Sequence, residues 1–155
     1  MIRILEDRDV DSILAIQSEC PEIAQWTAWD YDRAANGEMA GWVAEEEGQI
    51  IGFLVGRRVV SDLEILNLAV AENARRRGVG AALLNEALKW ARAFQATHAI
   101  LEVRESNLAG LRFYERHTFK VVGRRARYYT APIEDALLLT VALDDELSRE
   151  SGAKT

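Results

Sequence analysis

Arg75-Arg76-Arg77-Gly78-Val79-Gly80 lies between a strand-like segment, Leu66-Asn67-Leu68-Ala69-Val70, and a long amphipathic helix pattern over 81–94. A glycine-rich turn that opens a helix presents unpaired backbone N–H groups and the positive end of the helix dipole. Such a junction is an anion site built mostly of main chain. Gly78 and Gly80 allow a tight turn and a close approach, and the arginines add charge-assisted donors. The run is therefore expected to hold a diphosphate. The backbone from Arg77 to Ala81 should do most of the holding, the side chains of Arg75 and Arg77 should assist, and Arg76 belongs to the same expected cofactor-binding run. A solvated charge run is the bland alternative, which the strand-to-helix setting disfavours.

The chain has 155 residues, of which 49% are hydrophobic, and this composition suits one packed domain. We expect a single domain over 1–149 and a flexible tail over 150–155. No apolar run approaches the roughly 20 residues of a membrane span. The first residues lack the apolar core of a signal peptide, so a cytoplasmic location without membrane association is expected. The lone Cys20 excludes an internal disulfide framework, and with no nearby histidine it makes a poor nucleophile. His98 and His117 are isolated, so no metal site is expected. A net charge of −6 argues against direct nucleic-acid binding. The basic residues cluster instead at 75–77 and at Arg124, Arg125 and Arg127, which suits a small anionic ligand.

Residues 1–5 read as a strand and 7–19 as a helix ended by Pro21. Residues 22–38 read as irregular or shortly helical, with Trp26, Trp29 and Tyr31. A hairpin over 42–60 follows. In 62–70, Leu63 and Ile65 alternate before the phase slips, so that Leu66, Leu68 and Val70 are expected to share a face. A slip of this kind marks either a β-bulge, which splays a strand from its neighbour, or a strand buried on both faces. A helix over 79–95, a strand over 97–104, a helix over 107–116 and strands over 118–129 and 136–143 complete the pattern. The fold class is α/β (α+β): a mixed, mostly antiparallel sheet of six or seven strands with a central bulged strand and about four helices.

Arg75-x-x-Gly78-x-Gly80, in this order of strands and helices, resembles the (Gln/Arg)-x-x-Gly-x-(Gly/Ala) phosphate loop of the GCN5-related N-acetyltransferases, over residues 1 to about 145. Leu101-Glu102-Val103-Arg104-Glu105-Ser106-Asn107 and Phe113-Tyr114-Glu115 are similar to the RimI-type ribosomal-protein-alanine N-acetyltransferases within that superfamily. So are Trp26 in the early loop and Arg125-Ala126-Arg127-Tyr128-Tyr129 near the end. The chain departs from the pattern at Ala71-Glu72-Asn73-Ala74, where many members carry a proline. It departs again at His117-Thr118-Phe119, in place of Leu-Gly-Phe, and at Thr130, in place of proline. The last change falls in the expected substrate-lining hairpin and bears on peptide preference. The resemblance implies the GNAT fold, acetyl-CoA as acetyl donor and CoA as product. It also implies as acceptor the N-terminal amine of a protein, in particular the N-terminal alanine of a small-subunit ribosomal protein. Rival readings are an acetyltransferase for a small-molecule amine and a non-catalytic acyl-CoA-binding module.

The chemistry can be assigned by residue. An α-amine, with a pKa of about 8, is about one-tenth neutral at pH 7, far more than a lysine at about 10.4. Glu102, mid-strand and expected to be partly buried, could take its remaining proton; the plainer reading is a solvent-facing glutamate. Tyr114 could protonate the departing thiolate; otherwise it is a core-edge tyrosine. Asn107 could bond the pantetheine arm, cap its helix, or do both. Leu68, Ala69 and Val70 could pair with the pantetheine amides as an added strand does, with the N–H of Ala69 or Val70 polarising the thioester oxygen; otherwise they are ordinary core strand. Trp26, Tyr128 and Tyr129 are the candidate contacts to the acceptor.

Overall fold

The computed structural model describes residues 1–143. The expected domain end at 149 and the tail over 150–155 lie outside the described residues. In chain order the elements are β1 (Ile2–Ile4), a 3₁₀ turn (Asp7–Asp9), α1 (Val10–Ser18), α2 (Ala28–Ala35), β2 (Ala40–Glu46), β3 (Gln49–Val59) and β4 (Asp62–Val70). After a second 3₁₀ turn (Glu72–Ala74) come α3 (Val79–Ala93), β5 (His98–Arg104), α4 (Leu108–Arg116), β6 (Lys120–Thr130) and β7 (Ile133–Ala142). The strands form one seven-stranded sheet in the order β1-β2-β3-β4-β5-β7-β6. Every pairing is antiparallel except β4 with β5. No described helix is long and apolar enough to cross a membrane.

Both faces of the sheet are covered. Leu83, Leu84, Ala87 and Ala91 form the apolar stripe of α3 and pack with Leu54, Leu63 and Ile65 on one face, where Tyr114 of α4 joins them. Ile13 of α1 and Tyr31 of α2 pack with Val43, Phe53 and Val55 on the other. β3 therefore alternates between two cores rather than between core and solvent, as a central strand must. Thr118 takes a left-handed φ of 68° after α4, so β6 begins at Lys120 rather than 118. β7 begins directly after Pro132, three residues before the expected 136.

The bulge reading holds, with one correction. Val55 pairs with Asn67, but the next residue, Gly56, pairs with Ile65, leaving Leu66 as the extra residue of β4. Past the bulge, Leu68 packs with the α3-side core, the same face as Leu63 and Ile65. Leu66 does not share that face: it packs with the opposite core. Two successive residues on one side are what an inserted residue requires.

The start of the chain is tied down by a buried ion pair. Arg3 donates to both carboxylate oxygens of Asp9 at 2.8 Å, and the Glu6 N–H adds a third bond. Asp9 is 3% exposed. Burial pushes its carboxyl up, but the Arg3 and Glu6 bonds prevail and hold it below the ordinary aspartate range. A depressed carboxyl contributes stability that is complete above its unfolded pKa of about 3.9 and is lost as pH falls through the folded value. Arg3→Met is expected to cost about 3–5 kcal/mol at pH 7, because it leaves a buried carboxylate unpaired. Asp9→Asn should lose part of the acid-dependent limb. Denaturant melts from pH 7 to pH 3 check both.

Candidate active site

β4 and β5 pair in parallel only at their first residues, Asp62–Glu64 with His98–Ile100. Beyond that point the strands diverge, and a cleft of about 1100 Å³ opens between them. The N–H of Ala71 donates to the Ile51 carbonyl on β3 at 2.8 Å. Alternation along an extended strand then turns the groups of Ala69 toward its β3 partner Phe53 and those of Leu68 and Val70 toward the cleft. The Val70 carbonyl accepts from Arg75 Nε at 3.2 Å, as that phase requires. Of the two expected donors to a thioester oxygen, Val70 is the one that faces the opening.

The phosphate loop closes one end. Gly78 caps α3 at φ 80°, with no side-chain capping bond, so the first N–H groups of the helix carry no side-chain cap. A Cβ at Gly78 would meet nothing within 4 Å, whereas one at Gly80 would press on the Phe113 ring at 3.3 Å. One glycine supplies the left-handed turn beside open space, and the other lets α3 approach α4. This arrangement, with the free edge of β4 beside it, fits a diphosphate-tailed pantetheine. The three arginines divide. Arg75 lines the cleft and also bonds Cys20 Sγ at 3.0 Å. Arg77 pairs with Glu46 of the β2–β3 hairpin. Arg76 is exposed, with a left-handed φ of 64°. Val79 and Ala81 lie in the first turn of α3, outside the cleft lining.

Asn107, Tyr114 and Glu102 all line the cleft. Asn107 caps α4 through Oδ1, which accepts from Gly110 N at 2.9 Å; its side chain lies where any Cβ at residue 110 would collide. Tyr114 is buried, and burial pushes its hydroxyl far above the ordinary tyrosine range, so it stays protonated at any working pH. Glu102 is half-buried, its side chain 28% exposed, and its surroundings are less apolar than the strand sequence suggested: Arg125 Nε lies 3.3 Å from its carboxylate. The Glu102 charge, with burial, pushes the Tyr128 hydroxyl up. Burial and then the same charge do so for Tyr129, whose ring lies 4.1 Å from the Arg104 guanidinium. Both tyrosines thus sit beside Glu102. Two extra residues of β6 between its pairings at Arg125 and Tyr129 bring them there.

The opposite wall, residues 20–26, includes Trp26, a candidate acceptor contact, and runs from just past the first helix into the segment expected to be irregular or shortly helical. What orders it is a set of buried polar side chains that the sequence reading missed. Gln17 bonds both backbone groups of Trp26, accepting from its N–H at 3.0 Å and donating to its carbonyl at 2.8 Å. Asn67 donates to the Ala24 carbonyl at 3.0 Å. Gln17 falls at helical spacing with Val10 and Ile13 on the buried stripe of α1, and a polar residue in that position is the local signal of such a bond.

Comparison with known proteins agrees with this geometry. Residues 5–119 match the acetyltransferase (GNAT) family. An N-alpha-acetyltransferase of Sulfolobus acidocaldarius is 30% identical over 156 residues, covering 92% of each chain. A putative ribosomal protein bS18-alanine N-acetyltransferase of Bacillus subtilis is 26% identical over 146 residues, covering 93% of this chain and 96% of the relative. Among solved structures, Ard1 from Thermoplasma volcanium superposes with a TM-score of 0.85 at 26% identity, covering 94% of this chain and 98% of that one.

Cys20 lies in the wall, but burial raises its thiol above the ordinary range despite the nearby Arg75. It is therefore expected to resist iodoacetamide in the native protein and to react once the chain is unfolded. Cys20→Ala should keep turnover within about threefold, since a buried, protonated thiol is not an acyl carrier. Mass spectrometry of the alkylated protein and steady-state rates check the two statements.

Proposed function

The chain belongs to the acetyltransferase (GNAT) family, and we propose that its acceptor is the α-amine of a protein N-terminus. Enzymes of this family use acetyl-CoA, which supplies the acetyl group as a thioester. The observation that carries the proposal is the position of Glu102. Its carboxylate lies where β4 and β5 part, beside Tyr128 and Tyr129 of the hairpin and across from the free edge of β4. An amine entering between the hairpin and the 20–26 wall would find that carboxylate in the cleft as its proton acceptor.

Each residue then has one task. The N-terminus of α3 and the Arg77–Ala81 backbone hold the diphosphate, with Arg75, Arg76 and Arg77 adding positive charge. The backbone groups of Leu68 and Val70, together with Asn107, hold the pantetheine arm. The Val70 N–H polarises the thioester oxygen. Glu102 accepts the proton of the amine, directly or through a water, as the new C–N bond forms. Tyr114 donates its proton to the departing sulfur. Trp26, Tyr128 and Tyr129 flank the acceptor. Transfer is direct, with no acyl-enzyme.

The names of the Sulfolobus and Bacillus relatives support an α-amine acceptor. The Bacillus relative, with the Leu101–Asn107 and Phe113–Glu115 motifs, supports the N-terminal alanine of a ribosomal protein as the particular target. At neutral pH the α-amine also needs the least help to become neutral.

A hexapeptide with a free N-terminal alanine and an arginine-rich continuation is expected to consume acetyl-CoA. The same peptide blocked at its N-terminus and extended by a lysine should not. Glu102→Gln is expected to lower kcat/KM for the peptide about 100-fold or more and to leave the KM for acetyl-CoA in place. Tyr114→Phe should lower kcat. Turnover of the lysine peptide would point to a side-chain or small-amine acceptor. Binding of acetyl-CoA without turnover of any amine would point to a binding module.

A further inference from the structure

We infer that Gln17, Tyr31 and Asn67 act together as positioning residues that hold the 20–26 wall of the cleft at a fixed distance from the catalytic strands, and so set acceptor affinity and selectivity. The inference rests on the α-amine reading above for the identity of the acceptor, but not for the device itself.

All three residues are almost fully buried, at 6%, 0% and 5% exposure. Their hydrogen bonds run in one direction. Asn67 Nδ2 donates to the Tyr31 hydroxyl at 3.0 Å. That hydroxyl donates to Gln17 Oε1, which also accepts from the Trp26 N–H, while Gln17 Nε2 donates to the Trp26 carbonyl. The second proton of Asn67 Nδ2 goes to the Ala24 carbonyl. Asn67 thus spends both amide protons, and Tyr31 is at once acceptor and donor. A chain of this kind cannot shift one member without leaving a buried group unpaired.

The bulge is what makes it possible. Had β4 kept strict alternation, the Asn67 side chain would follow Leu63 and Ile65 into the apolar α3-side core; the bulge at Leu66 turns it to α2 and the wall. The insertion that parts β4 from β5 therefore also fastens the far side of the opening. α1, α2 and β4 converge on a segment that has no regular secondary structure of its own. The wall is a fixed jaw, so the space left for the first residue of an acceptor has a set width.

Tyr31→Phe is the variant of choice. It removes one hydroxyl and keeps the ring that packs edge-on to Phe53 at 5.5 Å and against Trp26 at 5.2 Å. Expected are a three- to tenfold rise, roughly, in the KM of the free-alanine peptide, an unchanged KM for acetyl-CoA, and relatively better use of peptides that begin with larger residues. Amide hydrogen exchange supplies an arm that needs no acceptor. The Trp26 amide should be protected in the parent and should exchange faster in Tyr31→Phe, while β3 stays protected in both. The proposal is overturned if peptide KM and selectivity do not change, if both KM values rise together, or if the wall exchanges freely in the parent. Should the parent acetylate no free-amine peptide, the N-terminal reading fails, and the exchange arm alone decides whether the jaw exists.

Discussion

A strand that carries one residue more than its neighbour can pair must bend, and here the bend makes the cleft. Leu66 has no partner on β3. The ladder between β4 and β5 ends at Glu64, just before it, and two central strands that would otherwise stay paired expose their facing edges inside the protein. Buried strand edges are costly unless something pairs with them. Part of β4 is satisfied by Arg75 on the Val70 carbonyl. A pantetheine arm, with amides at strand-like spacing, is suited to satisfy the rest. In the proposed reading, binding and chemistry come from the same deformation, with the thioester end of such an arm beside Glu102 and Tyr114.

The two ends of the opening differ in kind. At the α3 end the proposed recognition is by backbone: N–H groups without a side-chain cap and a glycine turn beside open space. It suits a ligand whose shape does not vary. At the other end the surroundings are side chains on a strand hairpin and an irregular wall, including Tyr128, Tyr129 and Trp26. Such parts can change without disturbing the sheet, since β6 is its last strand. A family can keep one donor and vary its acceptor on this plan.

Local signals were legible in the sequence. Gly78 and Gly80 at a strand-to-helix junction, the phase slip at Leu66, and Asn107 as a cap each depend on a few neighbouring residues, and the structure has the turn, the bulge and the cap at those positions. Pairings between distant segments were not legible. Tyr31 reaching Asn67, Arg77 paired with Glu46, and Arg125 beside Glu102 join residues 36, 31 and 23 positions apart. Periodicity carries no information about such contacts. The face of Leu66 was misjudged for a related reason: alternation signals that a residue has been inserted, but not to which core it turns.

The central claim is that acetyl donor and α-amine meet in the gap between β4 and β5. The most direct measurement is a crystal structure with a bisubstrate ligand, in which the N-terminal nitrogen of an alanine peptide is joined through an acetyl bridge to the sulfur of CoA. The account expects the diphosphate on the Gly78–Gly80 turn and the bridge carbonyl within hydrogen-bond distance of the Val70 N–H. It expects the bridged nitrogen within reach of Glu102, directly or through one water, with the peptide leaving between Trp26 and Tyr128. A bridge held elsewhere, or a peptide leaving by another route with Glu102 still turned to Arg125 and remote from the nitrogen, would contradict it.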